Sequence, residues 1–298
     1  MTSDELRRAL RHGSLGLRRD AEILSERHVQ GRRRALQVLS AGAASTALPL
    51  SLLGCGGSGE AAPADDAAKA AVLEATAAAT CSVIPSETAG PYPADGSLAS
   101  NQRLNALVLA GIQRSDIRTS VSPGSAAAAG VPLALTLRLV NTNGSCASLA
   151  GYAIYAWHCT RDGKYSMYSS GVTGENYLRG VQVTDSQGEV TFTTIFPGCY
   201  SGRWPHIHFE IYSSLAAALG NAAVGDYVKV SQLALPQGVC QTVYNQASGY
   251  SASIANLAAI TLSSDNVFSN DLAVYQMATV SGSVADGYTA SLTVGIAA

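Results

Sequence analysis

The sequence predicts an all-β fold, an antiparallel β-sandwich core with long loops and few short helices. Apolar and polar side chains alternate over Leu133–Val140, as in a strand with one face buried. Further short apolar runs follow, separated by clusters of Gly, Pro, Asn and Asp that favour turns. Charged residues make up only 13% of the chain, and small and β-branched residues are abundant. That composition suits a β-rich exported domain.

The first 55 residues read as an export signal. They hold nine of the 19 Lys+Arg and five of the 21 Asp+Glu. A basic cluster, Arg32-Arg33-Arg34, leads into an apolar stretch, Ala35 to Leu53. A basic region, an apolar region and a small-residue cleavage site mark such a leader. The paired arginines resemble a twin-arginine signal, and Leu52-Leu53-Gly54-Cys55 resembles a lipobox. Cys55 would then be the lipidated first residue of the mature protein, and the lipid its only membrane attachment. Residues 56–80 read as a flexible tether, with room for a short helix over Ala67–Ala79.

Residues 81–298 form the expected β-sandwich domain. Beyond residue 55 the chain keeps ten Lys+Arg against sixteen Asp+Glu, a net charge of −6. No basic face for nucleic acid is expected. About 240 residues suffice for one sizeable core. After Leu133–Val140, strands are expected over Ala153–His158, Val181–Thr184, Glu189–Phe196, His206–Tyr212, Tyr227–Leu233 and Tyr288–Ile296. Asp185-Ser186-Gln187-Gly188 supplies a hairpin turn between two of them. Leu215–Leu219 or Ser251–Ala259 reads as a small helix. Cys81, Cys146, Cys159, Cys199 and Cys240 are an odd set, so at least one thiol stays outside an intrachain disulfide. Connectivity does not follow from sequence; Cys81 and Cys146 are the favoured pair.

The chemistry-bearing residues gather between Trp157 and Tyr212. All three histidines beyond the leader, His158, His206 and His208, lie there. His206-Ile207-His208 on a strand sends both imidazoles to one face, about 7 Å apart. Such a pair is often only a polar face. Tyr200 follows Pro197-Gly198-Cys199, and Tyr165 sits in the turn Asp162-Gly163-Lys164-Tyr165. Alone, each reads as a packed aromatic, and Arg203 as a surface cation. Two phenols and two imidazoles on one point would instead make a hard, electron-rich site suited to ferric iron. No G-x-S-x-G elbow, P-loop or dinucleotide fingerprint is present.

Together these residues resemble the intradiol ring-cleavage dioxygenases. The matching pattern is Trp157 on a strand, Gly163-Lys164-Tyr165, the Thr184–Gly188 hairpin, Pro197-Gly198-Cys199-Tyr200, and Arg203-Trp204-Pro205-His206-Ile207-His208. Glu87-Thr88-Ala89-Gly90-Pro91-Tyr92 is similar to the family's segment at the active-site mouth. The resemblance implies that Tyr165, Tyr200, His206 and His208 bind non-haem Fe(III), with Tyr200 and His208 as the axial pair. It implies that Arg203 stands beside the substrate, and that Tyr200 helps to take a substrate proton. Pro91, Tyr92 and Trp157 become substrate-pocket candidates. The implied reaction opens a catechol-type ring between its hydroxylated carbons with O2, giving a muconate-type diacid. The partners are then a catechol-class small molecule and O2, on a monomer or homodimer.

The pattern departs from cytoplasmic members in having only Ser201-Gly202 between Tyr200 and Arg203, so specificity does not carry across. Cys199 beside Tyr200 would be a redox liability unless buried or bonded. Two other readings compete. One is a zinc site from His158, His206 and His208 with water as fourth ligand. The other is a non-catalytic β-sandwich lipoprotein.

Overall fold

In a computed structural model, the described residues are 81–220 and 226–298. They lie within a compact unit spanning Ala62–Ala298. The export signal, Cys55, and the tether with its helix over Ala67–Ala79 lie outside the described residues. No described helix is long and apolar enough to cross a membrane.

Among the described residues, nine strands build two sheets. The first holds β1 (Pro132–Asn141), β2 (Ala147–Ser148), β5 (Glu189–Ile195), β8 (Thr279–Ser283) and β9 (Gly287–Ile296). The second has the order β4 (Arg179–Val183), β3 (Ala153–Trp157), β6 (His206–Tyr212), β7 (Lys229–Ala234), all antiparallel. One pairing departs from a purely antiparallel sandwich: β1 and β9 run parallel over Leu133↔Tyr288 to Asn141↔Ile296. They are joined through the rest of the domain, which supplies the long crossover that a parallel pair requires.

Alternation decides which face each strand buries. Leu133, Leu135, Leu137 and Leu139 of β1 point inward with Val190 and Phe192 of β5 and Val294 of β9. From the second sheet, Ile154, Ala156, Ile207, Phe209, Ile211 and Leu233 meet them. Each fully buried side chain of this size contributes roughly 1.5–3 kcal/mol. A one-residue slip of β6 would turn its apolar set out and its histidines in, so the core fixes the register of His206 and His208.

The second sheet is covered on its outer face too, which leaves β6 buried along its whole length. Residues 84–112, largely without regular structure, form the cover and pack Ala89, Ala94, Ala106, Leu107 and Ile112 against Tyr155, Trp157 and Tyr212. This strap is held by backbone and side-chain bonds. Glu87 N donates to Val230 O (3.0 Å), Ser231 Oγ to Pro85 O (2.8 Å), and Gln232 Nε2 to Thr88 O (2.8 Å).

Both alternative helix positions are helical, as α1 (Leu215–Leu219), capped by Ser214, and α3 (Ser251–Ala258). Between them lies an unexpected helix, α2 (Gln237–Gln246). Its Gly, Thr and Val content lowers helix propensity, but Cys240, Val243 and Tyr244 fall on one buried face and tertiary packing decides. Strand β8 was also unforeseen. Its Thr-Val-Ser-Gly-Ser sequence at a sheet edge buries little and carries almost no apolar pattern.

Cys81 and Cys146 form the disulfide, while Cys159, Cys199 and Cys240 are buried free thiols. The bridge spans 65 residues and ties the start of the strap to the β1–β2 turn. Cys81→Ser is therefore expected to lower stability by about 2–5 kcal/mol. Guanidinium unfolding of the oxidised variant checks this; a midpoint equal to that of the oxidised parent would show that the bridge does not support the fold.

Candidate metal centre

Four sequence-predicted residues meet on the outer face of the second sheet. His206 and His208 project from β6 on the side away from the sandwich core. Tyr165 reaches them from the loop after β3, and Tyr200 from the loop before β6. His206 Nε2 lies 3.2 Å from Tyr200 Oη, 3.4 Å from Tyr165 Oη and 3.0 Å from His208 Nε2. Neither phenol has a hydrogen-bond partner outside this group among the described residues. Gly163 makes the turn before Tyr165 with φ +81°, and a Cβ there would lie 3.0 Å from Tyr200 Cβ. A glycine is needed both for that backbone conformation and for the close approach.

The surroundings fix how the rings point. The Trp204 carbonyl can only accept, so His206 Nδ1 carries the hydrogen and Nε2 presents a lone pair to the cluster. His208 stacks on Trp157, its cross-strand neighbour, with ring centroids 4.9 Å apart and planes 7° from parallel. Gly90 of the strap also lies against it; a Cβ at that position (φ +69°) would come within 3.5 Å of His208 Cε1. Tyr92 packs on Tyr165 at 4.9 Å.

Burial pushes the Tyr165 phenol well above its usual range, and lifts Tyr200 to about 12 despite the opposing charge of Arg203. Burial also drives His206 down to about 3 and His208 well below the usual imidazole range. The protein alone thus holds two neutral phenols and two neutral imidazoles around one point. A hard, highly charged cation fits that set, because its field would offset the burial cost and ionise the phenols.

Arg203 is not the surface cation it resembles in isolation. Its side chain is 12% exposed. Its Nε donates to Asp265 Oδ2 (2.9 Å) and Nη2 to Gln232 Oε1 (2.6 Å), and the guanidinium lies 5.8 Å from the Phe268 ring centroid. Gln232 sits opposite His208 in the β6–β7 register and also holds the strap at Thr88. Sequence reasoning missed both partners. A buried Gln within the apolar run Val230–Leu235 was a usable signal, whereas Asp265 lies in a turn with no local mark.

One alternative falls, and three other residues are placed. His158 turns away from the cluster: its Nδ1 contacts Cys159 O (2.8 Å) and its Nε2 contacts Thr194 Oγ1 (2.7 Å). Being next to Trp157 in sequence, it faces the opposite side, so the three-histidine zinc site does not form. No group of three His, Cys, Asp or Glu among the described residues could hold a metal. Trp157 is fully buried and stacks on His208. Pro91 is exposed on the strap, beside Tyr92. Cys199 is buried, and burial lifts its thiol to about 12, so it stays protonated and poorly reactive next to Tyr200.

Arg179 is a clamp. It donates through Nη1 to Pro93 O (2.9 Å) in the strap, and through Nε and Nη2 to Ser166 Oγ (3.1 Å) and O (3.0 Å), beside Tyr165. The strap and the loop carrying Tyr165 are joined by this one guanidinium.

A protein-family model described as Dioxygenase matches residues 108–219, the stretch containing all four clustered side chains and Arg203. An intradiol ring-cleavage dioxygenase from Tetranychus urticae is 25% identical, with 72% of this chain and 95% of that chain covered and a TM-score of 0.54. A second solved dioxygenase is 25% identical over 72% and 94% of the two chains, with a TM-score of 0.53. The dioxygenase domain of a dioxygenase carbohydrate-binding protein fusion from Streptomyces sp. SirexAA-E is 22% identical over 72% and 98%, with a TM-score of 0.42. No curated protein sequence matches. These matches support reading the chain as similar to the intradiol ring-cleavage dioxygenases, a class of enzymes. They weigh against the non-catalytic reading.

Proposed function

We propose that the protein is a non-haem Fe(III) dioxygenase that opens a catechol-type ring between its two hydroxylated carbons, yielding a muconate-type diacid. The observation that carries this reading is the convergence of two phenols and an imidazole nitrogen within 3.4 Å of His206 Nε2. Tyr165, Tyr200, His206 and His208 would hold the ion. When bound, ferric iron would supply the charge that keeps the tyrosines as phenolates and makes a bound catecholate reactive toward O2.

The protein's own groups account for the rest. Trp157 and the Trp204 carbonyl hold the imidazoles in orientation, so the ligand nitrogens need no rearrangement before binding. Tyr200 Oη, once ionised by the bound ion, would be the base that takes one catechol proton. Arg203, fixed by Asp265 and Gln232, stabilises the negative charge that develops on the substrate. The strap from Gly90 to Tyr92 covers the site and excludes water from it.

Export through a twin-arginine signal, with a lipid anchor on Cys55, would place the enzyme on the outer face of a bacterial membrane or in the periplasm. The Cys81–Cys146 disulfide supports an oxidising compartment. Mass analysis of the mature N-terminus tests this: a diacylglyceryl-modified Cys55 is expected, and an unprocessed leader contradicts it. The reaction is tested with an oxygen electrode and product mass. One O2 consumed per catechol and a diacid containing both oxygen atoms are expected. No oxygen uptake by iron-loaded protein with any simple catechol, or an aldehyde-acid product from cleavage outside the diol, would overturn the proposal.

A further inference from the structure

We infer that Asp265 is a positioning residue that sets both the substrate-side cation and one metal-ligand tautomer through a single carboxylate. The inference rests on the roles given above to Arg203 and His206. Asp265 is fully buried. Its Oδ2 accepts from Arg203 Nε (2.9 Å) and from Trp204 N (2.7 Å). Its Oδ1 accepts from Val267 N (2.8 Å) and Phe268 N (3.0 Å). Burial alone would raise its pKa, yet Arg203 and these backbone donors hold it below the usual carboxylate value.

Two chains of contact leave this one group. Through Nε, the carboxylate fixes the plane of the Arg203 guanidinium, which Gln232 holds at Nη2 and Phe268 supports from its ring face. Arg203 Nη1 has no protein hydrogen-bond partner among the described residues, so the fork is left with one free donor edge. Through Trp204 N, the same carboxylate anchors the peptide unit next to the carbonyl that accepts the His206 Nδ1 hydrogen. Asp265 bonds to none of the four clustered side chains, so its effect on them is indirect. Four donors surround it and it supplies only acceptors. An amide in its place must turn its NH2 toward one pair of donors and lose both bonds.

The test is a double-mutant cycle on the full-length iron-loaded protein, combining Asp265→Asn with Arg203→Gln. Turnover is followed, and so is the dissociation constant of catechol measured anaerobically by calorimetry. Asp265→Asn alone is expected to weaken both by about 10–100-fold, the usual cost of losing an outer support. In the Arg203→Gln background it is expected to cost clearly less than in the parent, because only the Trp204–His206 branch is left for it to disturb. Multiplicative losses in both measurements would overturn the inference and leave Asp265 a purely structural residue. If Arg203→Gln itself left catechol binding and turnover unchanged, the role of Arg203 would fall first and this inference with it. Should Asp265→Asn not fold, Asp265→Glu goes through the same cycle under the same criterion. It keeps the charge but displaces it by one methylene.

Discussion

Tyr200→Phe is expected to lower turnover by roughly 10²–10⁴-fold, the range for losing a positioned proton acceptor. The change is small in every other respect. Phe keeps the edge-on packing of residue 200 against Tyr165 (5.8 Å) and His206 (5.6 Å). The hydroxyl bonds only within the cluster, to His206 Nε2, so its loss should cost the metal-free protein no more than one neutral hydrogen bond, about 0.5–1.5 kcal/mol. The iron-loaded variant should keep a weakened, shifted visible band from Tyr165 alone. Steady-state kinetics, the spectrum and metal-free thermal unfolding together check the account. A variant with full activity and an unchanged band would remove Tyr200 from the site.

His206→Ala has the second large effect, and it separates metal binding from folding. His206 Nε2 is the point on which the other three donors converge, so its loss should abolish tight iron binding. Ligand binding to the folded state alone stabilises it by about 2.7 kcal/mol at a hundredfold excess over the dissociation constant. The parent should therefore melt at a higher temperature with ferric iron than without it, and the variant should melt at one temperature in both conditions. A metal-dependent rise in the variant equal to that of the parent would contradict the assigned ligand set.

What could be read from the sequence divides along physical lines. Strands with a strong period, such as Leu133–Leu139, and the two same-face histidines of β6 were legible, because alternation is a local property set by the core. Tyr165, Tyr200 and Arg203 were individually ambiguous and gained meaning only from their shared spacing. The rest depended on contacts distant in sequence. Asp265 reaches Arg203 across 62 residues and Gln232 reaches Thr88 across 144, and no local pattern announces either. The resemblance makes Trp157 a pocket candidate, and only the β3–β6 register, distant in sequence, shows that it stands beside His208. His158 illustrates the same point in reverse. It lies among the site residues in sequence, but strand alternation puts it on the other face with Thr194.

The central claim is that two tyrosinates and two histidines hold ferric iron with a position open to catechol. Its most direct test is the visible absorption spectrum of the protein purified without chelator, before and after anaerobic catechol. A broad tyrosinate-to-Fe(III) band that moves to longer wavelength on adding catechol is the predicted result. A protein that stays colourless after reconstitution with ferric iron would contradict it.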